Sequence, residues 1–247
     1  MNRPVVVNAD DLGLSREINQ GIFAGIERGV ISDVSLMVRA PYAGEAVRTL
    51  KGMGLRKVGL HVDLDAQLGW SSPGRERFSR CELGVLLEDP TYVERLREDI
   101  RSQIERFIDE GLDPVHIDTH HHVHGFFPIF RELVELARQY RIPALRHSRS
   151  GYTLTTREAI PFDEPVYRRM EDILRAEGIF FCSTMAEGAQ KLGELDSFPA
   201  ELVVHPSLGG DAWRSRELET LMDESFSRAL AARGIELAGF RDLAGRD

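Results

Sequence analysis

The chain has 247 residues, of which 42% are hydrophobic, so it can bury a core large enough for one α/β domain or two small ones. Its formal net charge is −9, with acidic and basic residues interspersed, which argues against a nucleic-acid partner. Cys81 and Cys182 lie far apart without CxxC spacing, which argues against a disulfide framework or a thiolate zinc site. We expect one domain over residues 1–247, no membrane span and, without a signal peptide, a cytoplasmic location.

Apolar runs alternate with helical patterns along the chain, which indicates repeated strand-helix units. The predicted strands lie at residues 5–7, 34–38, 58–62, 115–119, 143–145, 179–182, 202–204 and 235–240. The predicted helices begin after Ser15, near 41, 93, 130, 164 and 186, and near 218 for a closing helix that runs to 230. About seven such units in one domain favour a TIM-like (β/α) barrel, with a doubly wound open sheet as the alternative.

The pattern lapses between residues 65 and 90, where glycines and prolines are frequent and no periodicity is clear. Unpatterned segments of this length inside a compact domain are usually functional loops or disordered segments. Because the segment follows the strand that carries His61, we expect it to begin at the mouth of any site there. It could therefore form a lid.

Histidines are concentrated in one short stretch, HIDTHHHVH at residues 116–124, which holds five of the eight in the chain. Imidazole is the commonest neutral metal ligand and is a rare core filler. The stretch leaves the end of an apolar predicted strand, which favours a metal site. A solvated histidine-rich loop without a ligand is the alternative.

Ionisable residues follow five of the predicted strands, namely Asp10 and Asp11, His61, His120, Arg146 and His205. In a barrel, the carboxyl ends of the strands meet at one rim, where active sites are assembled. Each residue alone has a structural explanation, such as a turn, an ion pair or a cap. Five strands that direct such groups to one rim favour a functional site.

A carboxylate and two imidazoles around a divalent ion leave coordination positions open for water and substrate, as in catalytic sites. A second carboxylate beside the ligand can take a proton from that water, and a histidine can protonate the leaving group. Asp10 and Asp11 would supply base and ligand, His205 the acid, and Arg146 would hold Asp10 or meet the oxyanion. The sequence therefore predicts metal-assisted hydrolysis of an amide or ester.

Five stretches resemble the YdjC-like carbohydrate deacetylases, the family of chitooligosaccharide deacetylase and of a hopanoid-biosynthesis protein. They are NADDLG at 8–13, GLHV at 59–62, HIDTHHHVH at 116–124, ALR at 144–146 and VHP at 204–206. The resemblance spans nearly the whole chain. It implies a polysaccharide-deacetylase-like barrel that removes N-acetyl groups from an amino sugar, a short N-acetylated oligosaccharide or a glycoconjugate.

By the same resemblance, the metal ligands are Asp11, His61 and His120, and the ion is magnesium. The types of the ligand residues do not by themselves identify the ion, because two imidazoles also suit zinc, cobalt or manganese. His122 is the rival of His120 for the third ligand position. The two-residue period of a β-strand places His120 on the face shared with His116 and Asp118.

The resemblance also implies a small carbohydrate substrate, for which Trp70, His122 and His124 are the candidate contacts. Trp70 could stack on a sugar ring or pack the loop onto the barrel, and a homodimer contact through this loop is the third alternative. Two other functions stay open, a metal-dependent phosphoesterase on a similar barrel and a sugar-binding protein that has lost catalysis. Retention of both Asp10 and Asp11 argues against the latter.

Overall fold

The computed structural model describes residues 3–69, 80–156 and 162–245. Its strands are β1 (Arg3–Leu12), β2 (Asp33–Leu36), β3 (Lys57–Val62), β4 (Asp113–Thr119), β5 (Thr184–Glu187), β6 (Ala200–Val204) and β7 (Ile235–Leu237). Its helices are α1 (Arg16–Arg28), α2 (Ala43–Gly52), α3 (Arg80–Leu86), α4 (Pro90–Asp109), α5 (Phe127–Tyr140), α6 (Arg149–Thr156), α7 (Glu164–Ala176), α8 (Ala212–Met222), α9 (Glu224–Ala232) and α10 (Phe240–Leu243). Two 3-10 helices lie at His120–Gly125 and Ala189–Glu194.

The seven strands form one parallel sheet in the order β4-β3-β2-β1-β6-β5, with β7 paired to the start of β1. This arrangement confirms the predicted α/β class with a parallel sheet. The strand β1 has neighbours on both edges, and its apolar residues are buried on both faces, since Val5 and Val7 on one face and Val6 on the other are all fully buried. Asn8 and Asp10 are equally buried on the same strand, which marks its carboxyl end as a polar site within the core.

The sheet continues past β4 through two isolated bridges, which join Ile117 to Leu145 and Ala144 to Phe180. The predicted strands at 143–145 and 179–182 are therefore present only as single bridges. The next full strand, β5, occupies residues for which the sequence predicted the start of a helix at 186. That prediction is wrong because Met185 and Ala186 pair with β6, and the 3-10 helix begins only after Gly188.

The chain differs from the sequence-based prediction in two further segments. The closing helix predicted to reach residue 230 is broken at Asp223, whose carboxylate accepts a hydrogen bond from the backbone NH of Ser225 at 2.7 Å and caps α9. The segment 65–90 contains α3, which sequence periodicity did not reveal. Trp70 lies outside the described residues, so its predicted contact with substrate stays a prediction.

The described helices lack a membrane-spanning candidate, since none is both long enough and apolar enough. The longest, α4, has 20 residues, and its charged side chains alternate with a buried stripe that faces the sheet. It therefore packs as an amphipathic surface helix.

His147 lies just beyond the bridge at Leu145 and is buried among aromatic rings. Its ring stacks on Tyr167 with the centroids 5.0 Å apart, and Phe130 and Phe181 approach it at 5.6 and 5.8 Å. Burial, with a smaller contribution from Arg175, lowers the pKa of His147 to about 4. The folded protein therefore holds this imidazole neutral at pH values where an unfolded chain would protonate it.

This lowered pKa predicts an acid sensitivity that the variant His147→Phe should reduce. Between pH 6.5 and pH 4 the imidazole of residue 147 binds a proton in the unfolded state but not in the folded state. The free energy of unfolding therefore falls as the pH falls. From pH 7 to pH 4.5 the wild type should lose about 2 kcal/mol more stability than the variant. Urea unfolding at the two pH values measures this, and identical losses in both proteins would contradict it.

Candidate active site

The carboxyl ends of β1, β3 and β4 bring the predicted metal ligands together. Asp11 Oδ1 lies 3.3 Å from Nε2 of His61 and 3.1 Å from Nδ1 of His120. Asp11 and His61 are each 1% exposed, and the side chain of His120 is 18% exposed. The cluster is therefore buried on one side and open on the other, as a site for an ion and a substrate must be.

The backbone at Asp11 adopts a left-handed conformation with φ of 68°, which is uncommon for a residue other than glycine. The turn that follows is fixed by Asn19 of α1, whose amide oxygen accepts a hydrogen bond from the backbone NH of Gly13 at 2.7 Å. Strained backbone of this kind persists where surrounding contacts hold it. Here the strain turns consecutive carboxylates, Asp10 and Asp11, toward different partners.

Two observations indicate that the side chains of Asp11, His61 and His120 fit a divalent ion. Ligand atoms about 2.0–2.1 Å from a common ion lie roughly 3.0–3.4 Å apart, and the two measured distances from Asp11 Oδ1 fall in that range. Asp11 Oδ1 is also buried without a hydrogen-bond partner among the described residues. A buried carboxylate oxygen that lacks a donor is a costly feature that a cation would relieve.

Asp118 sets the orientation of His61. Its Oδ1 lies 2.7 Å from Nδ1 of His61, so that nitrogen donates a proton to Asp118 and Nε2 is the ring atom that faces Asp11. Carboxylates commonly orient ligand histidines in this way. Burial alone would lower the pKa of His61, but Asp118 and Asp10 outweigh it and raise the pKa well above its usual value. A metal ion at Nε2 would therefore compete with a proton.

Arg146 is the buried cation that three buried carboxylates contact. Its guanidinium donates two hydrogen bonds to Asp10, Nη1 to Oδ2 at 2.7 Å and Nη2 to Oδ1 at 2.8 Å, and two to Glu201 Oε1 at 2.9 and 2.6 Å. Its Nη2 also lies 2.8 Å from Oδ2 of Asp118. All four residues are at most 1% exposed. This fork matches the role predicted for Arg146 toward Asp10.

Asp10 is held by β1 and β2 as well as by Arg146. Its Oδ1 accepts hydrogen bonds from the Asn8 amide at 2.7 Å and the Ser35 hydroxyl at 3.2 Å. Burial would raise the pKa of Asp10, but Arg146 outweighs it and lowers the pKa below its usual value. The protein's own arginine therefore keeps Asp10 ionised at neutral pH.

Arg214 of α8 is a site residue that sequence reasoning missed. Its Nη2 donates to Asp11 Oδ2 at 2.6 Å, and the residue is 9% exposed. The contact occupies the oxygen of Asp11 that faces away from the histidines and leaves Oδ1 for an ion. Nothing in the sequence links Arg214 to Asp11, because they lie 203 residues apart.

His205 follows β6 and faces Asp10 across the site, with 4.0 Å between its Nε2 and Oδ2 of Asp10. Its backbone NH donates to Oε2 of Glu217 at 2.6 Å. The adjoining segment packs tightly on α1, since a Cβ atom at Gly21 would come within 2.7 Å of the Ser207 backbone. These contacts fix His205 at the edge of the site, with its side chain 12% exposed.

Two histidines of the stretch 116–124, His122 and His124, lie outside the ligand cluster, whereas His121 adjoins it, with its ring centroid 3.8 Å from that of His120. His122 has a left-handed φ of 54°, and its Nε2 lies 3.6 Å from Glu187, which lowers the pKa of that carboxylate to about 2. His124 is buried, and its Nδ1 lies 2.7 Å from the Thr119 hydroxyl. Substrate contacts for His122 and His124 stay predictions. His121 turns toward Asp65 at 3.5 Å.

Several polar residues support the site from positions that the sequence does not single out. They are Asn8, Ser35, Asp118, Glu201, Arg214 and Glu217. Asp118 could have been found, because it shares a strand face with His120. Glu201 alternates with apolar residues on a buried strand, a position where a charged residue is normally paired.

Comparison with known proteins identifies what this arrangement is similar to. The family model described as YdjC-like protein matches residues 4–232. A carbohydrate deacetylase of Clostridium beijerinckii is 28% identical, with 97% of this chain and 99% of the relative covered. A chitooligosaccharide deacetylase of Proteus mirabilis is 32% identical, with 97% and 98% covered. These matches confirm the family and the class of enzyme that the motifs predicted.

The fold also matches a solved structure. A crystal structure of an Enterococcus faecalis protein described as a cellobiose-phosphate cleavage protein superposes with a TM-score of 0.74, at 22% identity, and the match covers 99% of this chain and 100% of that one. At this identity the likeness supports the fold alone.

The buried cluster around Arg146 predicts a large effect of Arg146→Met on stability. The substitution removes the guanidinium that Asp10, Asp118 and Glu201 share, which should cost about 3–5 kcal/mol at pH 7 in metal-free protein. In the wild type the pKa values of Asp10 and Asp118 are lowered, so their contribution is present above about pH 4 and is lost as the pH falls. In the variant the pKa values of Asp10 and Asp118 should be raised. The loss in the free energy of unfolding relative to the wild type should therefore grow as the pH rises from 5 to 8.

Arg97→Met is the matched control for this measurement by urea unfolding. Arg97 also binds two carboxylates, Glu132 at 2.7 Å and Glu135 at 2.8 Å, but its side chain is 21% exposed. Surface pairs contribute little, so its loss should be about 1 kcal/mol or less. Similar losses in both variants, or a deficit for Arg146→Met that does not change with pH, would contradict the assignment of Arg146 as the buried counter-ion.

Proposed function

Because the chain belongs to the YdjC-like family, we propose that it is a metal-dependent hydrolase that removes N-acetyl groups from an amino sugar, a short N-acetylated oligosaccharide or a glycoconjugate. The observation that supports this most directly is the meeting of Asp11, His61 and His120 beside a second, ionised carboxylate, Asp10. Relatives named carbohydrate deacetylase and chitooligosaccharide deacetylase over almost the full chain support the substrate class.

The same proposal includes a closed barrel and a single domain over residues 1–247. The bridges at Leu145 and Phe180 support closure, since they lead the sheet from β4 toward the chain segment that enters β5. Closure would place the carboxyl ends of all strands around one site. The polysaccharide-deacetylase-like barrel is therefore the architecture that best explains the convergence of residues from five segments.

Asp11, His61 and His120 would hold one divalent ion. When bound, the ion would lower the pKa of a water molecule and polarise the substrate carbonyl. The family resemblance favours magnesium, and the two imidazoles also suit zinc, cobalt or manganese.

The protein's own groups would move the protons. Asp10 is ionised and fixed by Arg146, so it would accept the proton of the attacking water as general base. His205 faces Asp10 from the other side of the site and would donate a proton to the departing amine. Arg146 has its donors directed at carboxylates, so it would act by positioning Asp10 rather than by contact with the oxyanion.

The two alternative functions have weaker support. A phosphoesterase would need more carboxylates for a second ion and basic residues for phosphate, whereas Arg146, the most buried arginine of the site, is bound by three carboxylates. A sugar-binding protein without catalysis would have no need to keep Asp10 buried and ionised beside the ligand cluster. A cytoplasmic location and a homodimer stay predictions from the sequence.

Acetate release from N,N′-diacetylchitobiose by the metal-supplemented protein tests the proposed function. The wild type should release acetate, and Asp10→Asn should reduce turnover about a hundredfold or more, the usual scale for a general base. His205→Gln should reduce turnover more on this amide than on 4-nitrophenyl acetate, whose leaving group needs no proton.

Circular dichroism and thermal unfolding of each variant serve as controls for folding. No acetate from the wild type with any of magnesium, zinc, cobalt or manganese would exclude deacetylation of this sugar. Unchanged turnover in Asp10→Asn would remove its assignment as base. Equal losses in His205→Gln on amide and ester would assign His205 to binding or structure.

A further inference from the structure

A cavity of about 560 Å³ opens beside His205, between the carboxyl end of β5 and the helix α8. Glu187 and Lys191 line one wall, and Trp213 and Arg216 line the other. Its volume falls within the range of small-molecule sites. Since His205 belongs both to this cavity and to the candidate catalytic centre, a ligand in the cavity would reach the centre from the side of the proton donor.

Trp213 is the large apolar surface of this cavity. Its indole is held by neighbours, with the Arg214 guanidinium 4.6 Å from the ring centroid and the His205 ring 5.6 Å away. The residue is nevertheless 49% exposed. An aromatic ring that is fixed in place but exposed inside a cavity is a ready platform for a flat apolar face.

The opposite wall supplies polar groups. Glu187 presents a carboxylate, Lys191 an ammonium group and Gln190 an amide to the same space. A pyranose ring combines an apolar face of C–H groups with a rim of hydroxyls, so it needs an aromatic platform on one side and hydrogen-bonding groups around it. This pairing of walls matches a sugar better than it matches a purely apolar or a purely anionic ligand.

We propose that this cavity is the sugar subsite of the enzyme and that Trp213 stacks on the pyranose ring whose amide nitrogen faces His205. The proposal rests on the proposed deacetylase function and names where the sugar binds. It assigns the stacking role to Trp213, whereas the sequence pointed to Trp70. Arg214 links the two sites, because one guanidinium packs under Trp213 and binds the ligand carboxylate of Asp11.

Kinetics with two substrates test the subsite. Trp213→Ala should lower kcat/KM for N,N′-diacetylchitobiose about tenfold, mainly through KM, the scale expected for loss of one aromatic stacking contact. Trp213→Phe should restore most of the loss. Both variants should lose less activity on 4-nitrophenyl acetate than on the sugar, because that ester carries no sugar to stack.

Met222→Ala is the matched control, because Met222 is another exposed large apolar residue of α8 and does not line the cavity. It should leave both activities unchanged. Equal losses on the sugar and the ester in Trp213→Ala would show that Trp213 supports the fold or the metal centre instead, and would overturn the proposal.

Fluorescence gives a readout that does not depend on activity, since the chain has only two tryptophans. Trp70→Phe leaves Trp213 as the only indole, and Trp213→Phe leaves Trp70. Titration with N,N′-diacetylchitobiose should change the emission of the Trp213 reporter. A silent Trp213 reporter at saturating sugar, with or without a response from Trp70, would overturn the proposal.

These two measurements separate the subsite from the proposed function. A Trp213 reporter that binds the sugar in a protein that releases no acetate would support the subsite and reject deacetylation. Acetate release with a silent Trp213 reporter would support deacetylation and reject the subsite.

Discussion

The buried ion cluster around Arg146 is the interaction on which the rest of the site depends. A fully buried guanidinium binds Asp10 of β1, Asp118 of β4 and Glu201 of β6, so it joins three strands of the sheet through ion pairs and hydrogen bonds. Buried charges are tolerated only when they are paired and hydrogen-bonded. Because Asp10 and Asp118 each have further partners, this one residue sets the position of the candidate base and, through Asp118, the orientation of His61.

Adjacent aspartates take different roles because of their separate counter-ions. Asp10 is bound by Arg146, whereas Asp11 is bound through Oδ2 by Arg214 and directs Oδ1 at two imidazoles. The left-handed backbone at Asp11 separates the carboxylates. Burial would otherwise favour a proton on each carboxyl group, but Arg146 and His61 lower the pKa of Asp10, and His120, His61 and His205 lower the pKa of Asp11. The site therefore combines an ionised base and an ionised ligand in two consecutive residues.

The sequence predicts the strand-end residues well because parallel strands place their carboxyl ends on one edge. Asp11, His61 and His120 are brought together as their motifs indicated, and Ser15 caps α1 as its position suggested. The supporting contacts could not be predicted, because they depend on distant pairings. Arg214 reaches Asp11 from α8, and Gly59 leaves space for the His116 ring, which a Cβ atom would approach to 2.1 Å. The helix predicted from residue 186 begins only at Ala189, because Ala186 and Glu187 pair with β6 and end β5 instead.

Metal binding by the two aspartate variants tests the central claim most directly. Isothermal titration of metal-free protein with zinc or cobalt should give one site in the wild type, and proton release should accompany binding because the ion competes with protons for the ligand imidazoles. Asp10→Asn should keep the site within about tenfold in affinity, whereas Asp11→Asn should lose more than about a hundredfold. Equal affinities in the two variants, or tight binding that survives Asp11→Asn, would contradict the division of roles between base and ligand.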